Sequence, residues 1–215
     1  MSGQETLDVL NILVAADVLC LQEIIDYLQK YLIKNKYGWM EENFEVAQRI
    51  SLQSNNLLEL KQFCTNFVAK FPEKIFKSPN YISLSEGYLV QLIKRDDLRM
   101  KEIEIWEYVL KWGFAQNPTL IPDPSTWSDD DFKTMRNTIQ HCLPSIRFFC
   151  LSSTEFSQKV RPYEKILDDQ LYEDLLNSYL DPDSVSTDNI LPPRNIKTID
   201  SKIVFPILIF LYFRH

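Results

Sequence analysis

Residues 78–113, SPNYISLSEGYLVQLIKRDDLRMKEIEIWEYVLKWG, hold two helices back to back. Ser83 and Glu86 stand at capping-box spacing ahead of an apolar stripe of Tyr88, Leu89, Leu92 and Ile93. The acidic turn Asp96-Asp97-Leu98 separates this stripe from a second helix over about 101–115. That helix puts Ile103, Trp106, Leu110 and Gly113 on one face. Glu107 and Lys111 stand four apart on it, a pairing worth about 0.3 kcal/mol. Such paired amphipathic helices bury one stripe against each other and leave a second surface for solvent or a partner.

The same period runs towards the N-terminus. Leu10, Val14, Val18, Leu21, Ile25, Leu28 and Leu32 recur at three- and four-residue steps. From Leu7 to Leu21 the chain is apolar almost all round, which predicts a deeply buried helix. Residues 22–34 are amphipathic, with Gln22, Glu23, Asp26, Gln29 and Lys30 expected on the wet face, and 34–38 reads as a stop. Phe44, Ala47 and Ile50 mark a short helix. Leu57, Leu60, Phe63 or Cys64, Phe67 and Phe71 mark a longer one, with Ser54-Asn55-Asn56 as the turn between. Pro72 and Pro79 bracket a broken segment.

Towards the C-terminus, Pro118, Pro122 and Pro124 make 116–127 a loop. Ser128 and Asp131 then read as a capping box with Trp127 and Phe132 as its staple, ahead of Phe132, Met135, Ile139 and Cys142. Ser152 and Glu155 form another box. Leu171, Leu175, Leu176 and Tyr179 close the last helix near Leu180. The pattern predicts an all-α array of short paired helices. Beyond it, DPDSVSTDNILPPRNIKTID (181–200) reads as a linker, rich in Asp, Ser, Thr and Pro. From Ile203 to Phe213 the chain holds ten apolar side chains and one proline, short of the roughly 20 that a membrane-spanning helix needs. This stretch reads as the edge of a following domain or a non-native end, with a membrane tail as the alternative.

Composition agrees. There are four glycines in 215 residues, where ordinary usage would give about fifteen, so a fold of many tight hairpins is excluded. The net charge of −7 lacks the basic excess that phosphate backbones require, which argues against nucleic acid as a partner. Cys20, Cys64, Cys142 and Cys150 form no C-x-x-C pair, and His141 and His215 stand in no ligand-like spacing, so no metal or cofactor is expected. Cys20 and Cys64 read as small buried hydrophobes. Asp129-Asp130-Asp131 and Asp168-Asp169 read as helix starts that use the macrodipole. No nucleophile motif or phosphate loop is present, so the chain is expected to be no enzyme. The first residues, MSGQETLDV, lack a secretory signal, which makes a cytoplasmic location the expectation and leaves the nucleus open.

These stretches resemble known modules. LDVLNILVAADVLCLQEIIDYLQKYLI (7–33) resembles the last two helices of a BTB (POZ) domain, and EENFEVAQRISLQSNNLLELKQFCTNFVAKFPEKIF (41–76) resembles the opening of a BACK domain. Residues 78–113 match the family signature most specifically through Leu89, Leu92, Asp96-Asp97-Leu98, Glu102 and Trp112. IRFFCLSSTEFSQKVRPYEKIL (146–167) is similar to the distal BACK region of BTB–BACK proteins that lack Kelch repeats. LPPRNIKTIDSKIV (191–204) resembles the linker that leads into a TLDc domain in such proteins. The resemblance divides the chain into two helices of a truncated BTB domain (1–37), a BACK domain (38–180), and a linker with an apolar tail (181–215).

The resemblance implies a Kelch-like, non-catalytic adaptor that recruits cullin-3 and holds a substrate for ubiquitination. In the family, the cullin N-terminal region touches the end of the BTB and the first BACK helices. That maps to Tyr31, Tyr37, Trp39, Met40 and Phe44 here, large side chains of the kind that anchor interfaces. They read equally as a plug in the seam between two helical units. The upstream BTB element that completes the cullin contact is not in the sequence. A helical scaffold without cullin binding is therefore an alternative, as is a membrane-associated protein using the tail. With no BTB core over them, Leu10, Val14, Val18 and Leu21 are expected to form an exposed face suited to self-association.

Overall fold

The computed structural model describes residues 3–180 and 190–195. Every regular element among them is helical, as the periodicity requires: α1 (Gly3–Val18), α2 (Gln22–Asn35), α3 (Tyr37–Glu42), α4 (Phe44–Gln53), α5 (Leu58–Lys70) and α6 (Glu73–Phe76). A 3-10 turn at Pro79–Ser83 leads to α7 (Glu86–Ile93) and α8 (Glu102–Gln116). After the proline-rich loop come α9 (Asp129–Ile139), α10 (Ser153–Glu155), a π-turn at Phe156–Val160 and α11 (Asp169–Leu180). Sequence neighbours pack together, notably α1 with α2, α4 with α5, and α8 with α9. Buried apolar side chains from Leu10 to Leu175 form one connected cluster. Among the described residues, no helix is long and apolar enough to cross a membrane. The apolar tail lies outside the described residues.

The hairpin of α1 and α2 departs from the sequence reading. Only Thr6, Leu10, Leu13 and Ala16 of α1 are buried. The face expected to be bare is therefore split: Leu10 is fully buried, Val14 is half-buried against the core, and Val18 and Leu21 are exposed, Val18 at 76%. The helical period turns Leu10 and Leu13 inward while Ile12 and Val18 point out. The turn between the helices is a Schellman motif, in which Leu21 N–H donates to the Ala16 carbonyl and Cys20 N–H to that of Asp17. Cys20 occupies the left-handed position at φ 55°. It is exposed, not a core residue, because the apolar run breaks there into two helices.

Two polar residues fasten this hairpin to the next. Asp17 accepts from Ser54 Oγ at 2.8 Å and from Asn56 Nδ2 at 2.9 Å, at the turn between α4 and α5. Gln29, expected on the wet face, is 1% exposed. Its Oε1 accepts from the Leu60 backbone N–H at 3.1 Å, so it caps α5, which has no side-chain cap of its own. The expected stop at 34–38 is shorter than the sequence suggests, since α3 starts at Tyr37.

In residues 78–113 the cap of α7 is Ser85, which accepts from Tyr88 N–H. Ser83 is wound into the preceding 3-10 turn instead. In the acidic turn, Asp97 takes a forked pair of bonds from Arg95 at 2.8 Å each, Asp96 meets Arg147, and Leu98 fills the core. Arg99 N–H donates to the Ala69 carbonyl at the end of α5. Glu102, in the first turn of α8, is buried and accepts the Arg147 backbone N–H at 3.2 Å.

Helix α8 is the central strut. Trp112 Nε1 donates to the Leu84 carbonyl and Trp106 Nε1 to that of Lys159, both at 2.9 Å. Glu107 pairs with Lys159 at 2.9 Å, while Lys111 lies over the Tyr108 ring. The anticipated Glu107–Lys111 pair is displaced by this longer-range partner. The boxes at Ser128/Asp131 and Ser152/Glu155 form as read, and Trp127 stands edge-on to Phe132 at 4.9 Å. Asp168 accepts from Gln170 N–H at the start of α11.

Four outcomes follow from this packing. Cys20→Gly removes the cost of a side chain in the left-handed region and is expected to raise stability by about 1 kcal/mol in urea unfolding. A Cβ at Gly113 would sit 2.6 Å from Met135 Sδ and 2.9 Å from Ile139 Cγ2, so Gly113→Ala is expected to cost about 1–3 kcal/mol by the same measurement. Burial pushes the Cys64 and Cys142 thiols up from 9.0 to about 12. In the native chain only Cys20 and Cys150 should react promptly with a thiol reagent. The folded-state pKa is raised, so the two buried thiols add stability below pH 9. That contribution is lost as pH climbs from 9 towards 12, because the unfolded thiols ionise first.

Candidate functional site

An aromatic stack runs from the core to the surface where α3, α4 and α5 meet. Phe44 stacks on Phe67 with centroids 4.8 Å apart, Phe67 on Phe63 at 6.2 Å, and Tyr37 stands edge-on to Phe63 at 5.2 Å. The spacing explains it: Phe63 and Phe67 are four apart on α5 and share one face, and α3 sets Tyr37 over the nearer ring.

The outer end of this stack is the floor of a groove of about 380 Å³. Ile33 and Tyr37 make one wall, Phe63 and Phe67 the floor, and Glu59, Gln62, Asn66 and Lys70 the polar rim. Asn66 ties that rim to the acidic turn, accepting from Gln62 Nε2 at 2.8 Å and Arg95 Nη2 at 3.0 Å. Gln29, in its cap on α5, fixes the spacing of the helices that frame the groove. Burial and then the neighbouring Glu41 carboxylate push the Tyr37 phenol above its ordinary value, so it stays a neutral donor at physiological pH.

The five sequence-predicted residues divide. Tyr37 is 41% exposed and lines the groove. Tyr31 is half-buried and stacks on Tyr27 along α2, away from the groove lining. Trp39 is half-buried against the core and lies under the start of α1, close to Gly3. Met40 and Phe44 are interior residues that fill the seam between helices. In the sequence Phe63 and Phe67 read as core stripe and not as the floor of a groove. The i, i+4 run of Phe63, Phe67 and Phe71 was the one available signal.

Two other hollows are larger but less apolar. One, about 500 Å³, lies between Glu107, Asp123, Lys159 and Tyr163; the other, about 560 Å³, between Glu45, Arg49, Ser78 and Asn80. An aromatic floor inside a polar rim suits an apolar anchor from a protein partner better than either. Among the described residues no cluster of His, Cys, Asp or Glu could hold a metal ion. His141 Nδ1 is engaged by Glu86 Oε1 at 2.7 Å, and the adjacent Cys142 is buried.

Comparison with known proteins gives one match. Residues 44–119 fit the family model described as BACK, BTB And C-terminal Kelch. No curated protein and no solved structure matches the chain. The matched span runs from Phe44 in the aromatic stack, through the acidic turn and Glu102, to just past the end of α8. Residues 44–119 are thus similar to a BACK domain, in keeping with the BTB–BACK resemblance of the sequence.

Proposed function

We propose that this chain is a non-catalytic adaptor whose groove at Tyr37 and Phe63 receives a protein partner, and that this partner is the N-terminal region of cullin-3. The BACK family implies protein–protein interaction in general, which supports the coarser half of this reading. The finer half rests on one observation. The groove opens beside the segment from Tyr31 to Phe44, to which the BTB–BACK resemblance assigns the cullin contact, and Tyr37 is presented on its wall. A rigid helical floor needs no reordering when it binds, so contact area is converted to affinity with little entropic loss. On this reading a substrate for ubiquitination is carried elsewhere on the assembled protein.

Calorimetric titration of the full chain with a cullin-3 N-terminal domain is the test. Micromolar affinity, about −8 kcal/mol, is the expected result. Tyr37→Ala removes an exposed aromatic from the wall and should weaken binding about tenfold or more while leaving the helical signal intact. A folded chain that does not bind would leave a helical scaffold for other proteins, and binding indifferent to Tyr37→Ala would put the cullin contact outside the groove.

A further inference from the structure

Arg194 belongs to a stretch whose composition reads as linker, yet its side chain is only 2% exposed. Arginine is almost never buried unless its charge and donors are met. Here all three guanidinium nitrogens find acceptors. Nε and Nη2 fork on to the two oxygens of Glu102, the second bond at 3.2 Å. Nη1 donates to the Arg95 carbonyl, and Nη2 also reaches the Ser145 carbonyl at 3.3 Å. Beside it, Arg147 Nη1 donates to the Pro192 carbonyl at 2.7 Å. Side chain and main chain of one short segment are therefore both held.

The partners come from three separate places: the turn after α7, the first turn of α8, and the stretch that follows α9. Charge explains why a guanidinium belongs among them. Buried Glu102 takes the forked pair from Arg194, whereas the nearest side-chain nitrogen of Arg147, its Nε, stays 4.0 Å away and has no hydrogen-bond partner. Arg147 spends its terminal nitrogens on Asp96 and on Pro192. Pro192 and Pro193 suit the approach. Each fixes its own φ and carries no N–H to be left unsatisfied on docking.

We infer that Arg95, Glu102, Ser145 and Arg147 form a docking slot for an extended Pro-Pro-Arg segment, filled in this chain by residues 191–194. The slot returns the chain to the side of α8 after α11 has ended. The forked geometry selects arginine over lysine, because an ammonium cannot span both carboxylate oxygens in one plane.

Trypsin reads this directly, since it must draw residue 194 into its own pocket to cut the bond to Asn195. Cutting there should be slow in the full native chain. In Arg194→Lys it should be at least about tenfold faster, although trypsin accepts arginine at least as readily as lysine. Glu102→Gln, which keeps the shape of the slot and removes its charge, should release the bond similarly. Near-ultraviolet circular dichroism identifies variants that keep their packing. Should Glu102→Gln lose its packing, Arg194→Lys alone decides, because it changes only the docked segment. Rates equal to wild type in the folded variants would overturn the inference.

Discussion

One buried carboxylate organises the centre of this molecule. Glu102 sits in the first turn of α8, where the helix dipole favours a negative charge, and meets the backbone of Arg147 and the guanidinium of Arg194. A charge taken out of water is tolerable only when its lone pairs are occupied, so the elements that supply those partners are fixed relative to one another. The turn after α7, the start of α8 and the stretch after α9 thereby become a single unit. From this unit α8 extends with Trp106 and Trp112, whose indole N–H groups hold the π-turn and the 3-10 turn on either side.

The groove is built by the opposite principle. Its rigidity comes from stacked rings and a helix cap, with Phe44, Phe67 and Phe63 passing contact outward from the interior and Gln29 holding the start of α5. Asn66 joins the two regions. It sits on the groove rim and accepts from Arg95, which in turn grips Asp97 and offers its carbonyl to Arg194. The aromatic floor and the buried charge are therefore linked through one side chain on α5.

Features set within a few residues were legible in the sequence. The boxes at Ser128/Asp131 and Ser152/Glu155, the Trp127–Phe132 staple and the stripes of α4, α5, α8 and α11 all appear as read, because caps and periods are local. The all-α class was equally plain from the scarcity of glycine and the helical steps. Apart from the α7 cap, which Ser85 takes in place of Ser83, what failed depended mostly on neighbours that the pattern does not name. Gln29 looked wet because its partner, the bare N-terminus of α5, lies 31 positions on. Glu107 chose Lys159 over Lys111, and Cys20 fell in a turn because the apolar run on both sides concealed the break. Tyr37 stands out in the sequence as a large side chain near a chain stop, whereas Phe63 and Phe67, which line the same groove, read there as plain core. Arg194 gave no local sign at all.

The sequence distance between Arg194 and Glu102, 92 residues, also has an entropic consequence. Most helices here pack on their neighbours in the chain, the kind of contact that closes small loops and forms quickly. The slot is assembled from residues 95–147 and can be complete before its occupant arrives. Docking residues 191–194 closes a loop of 92 residues, so it carries a larger loop-closure entropy than the contacts between neighbouring helices.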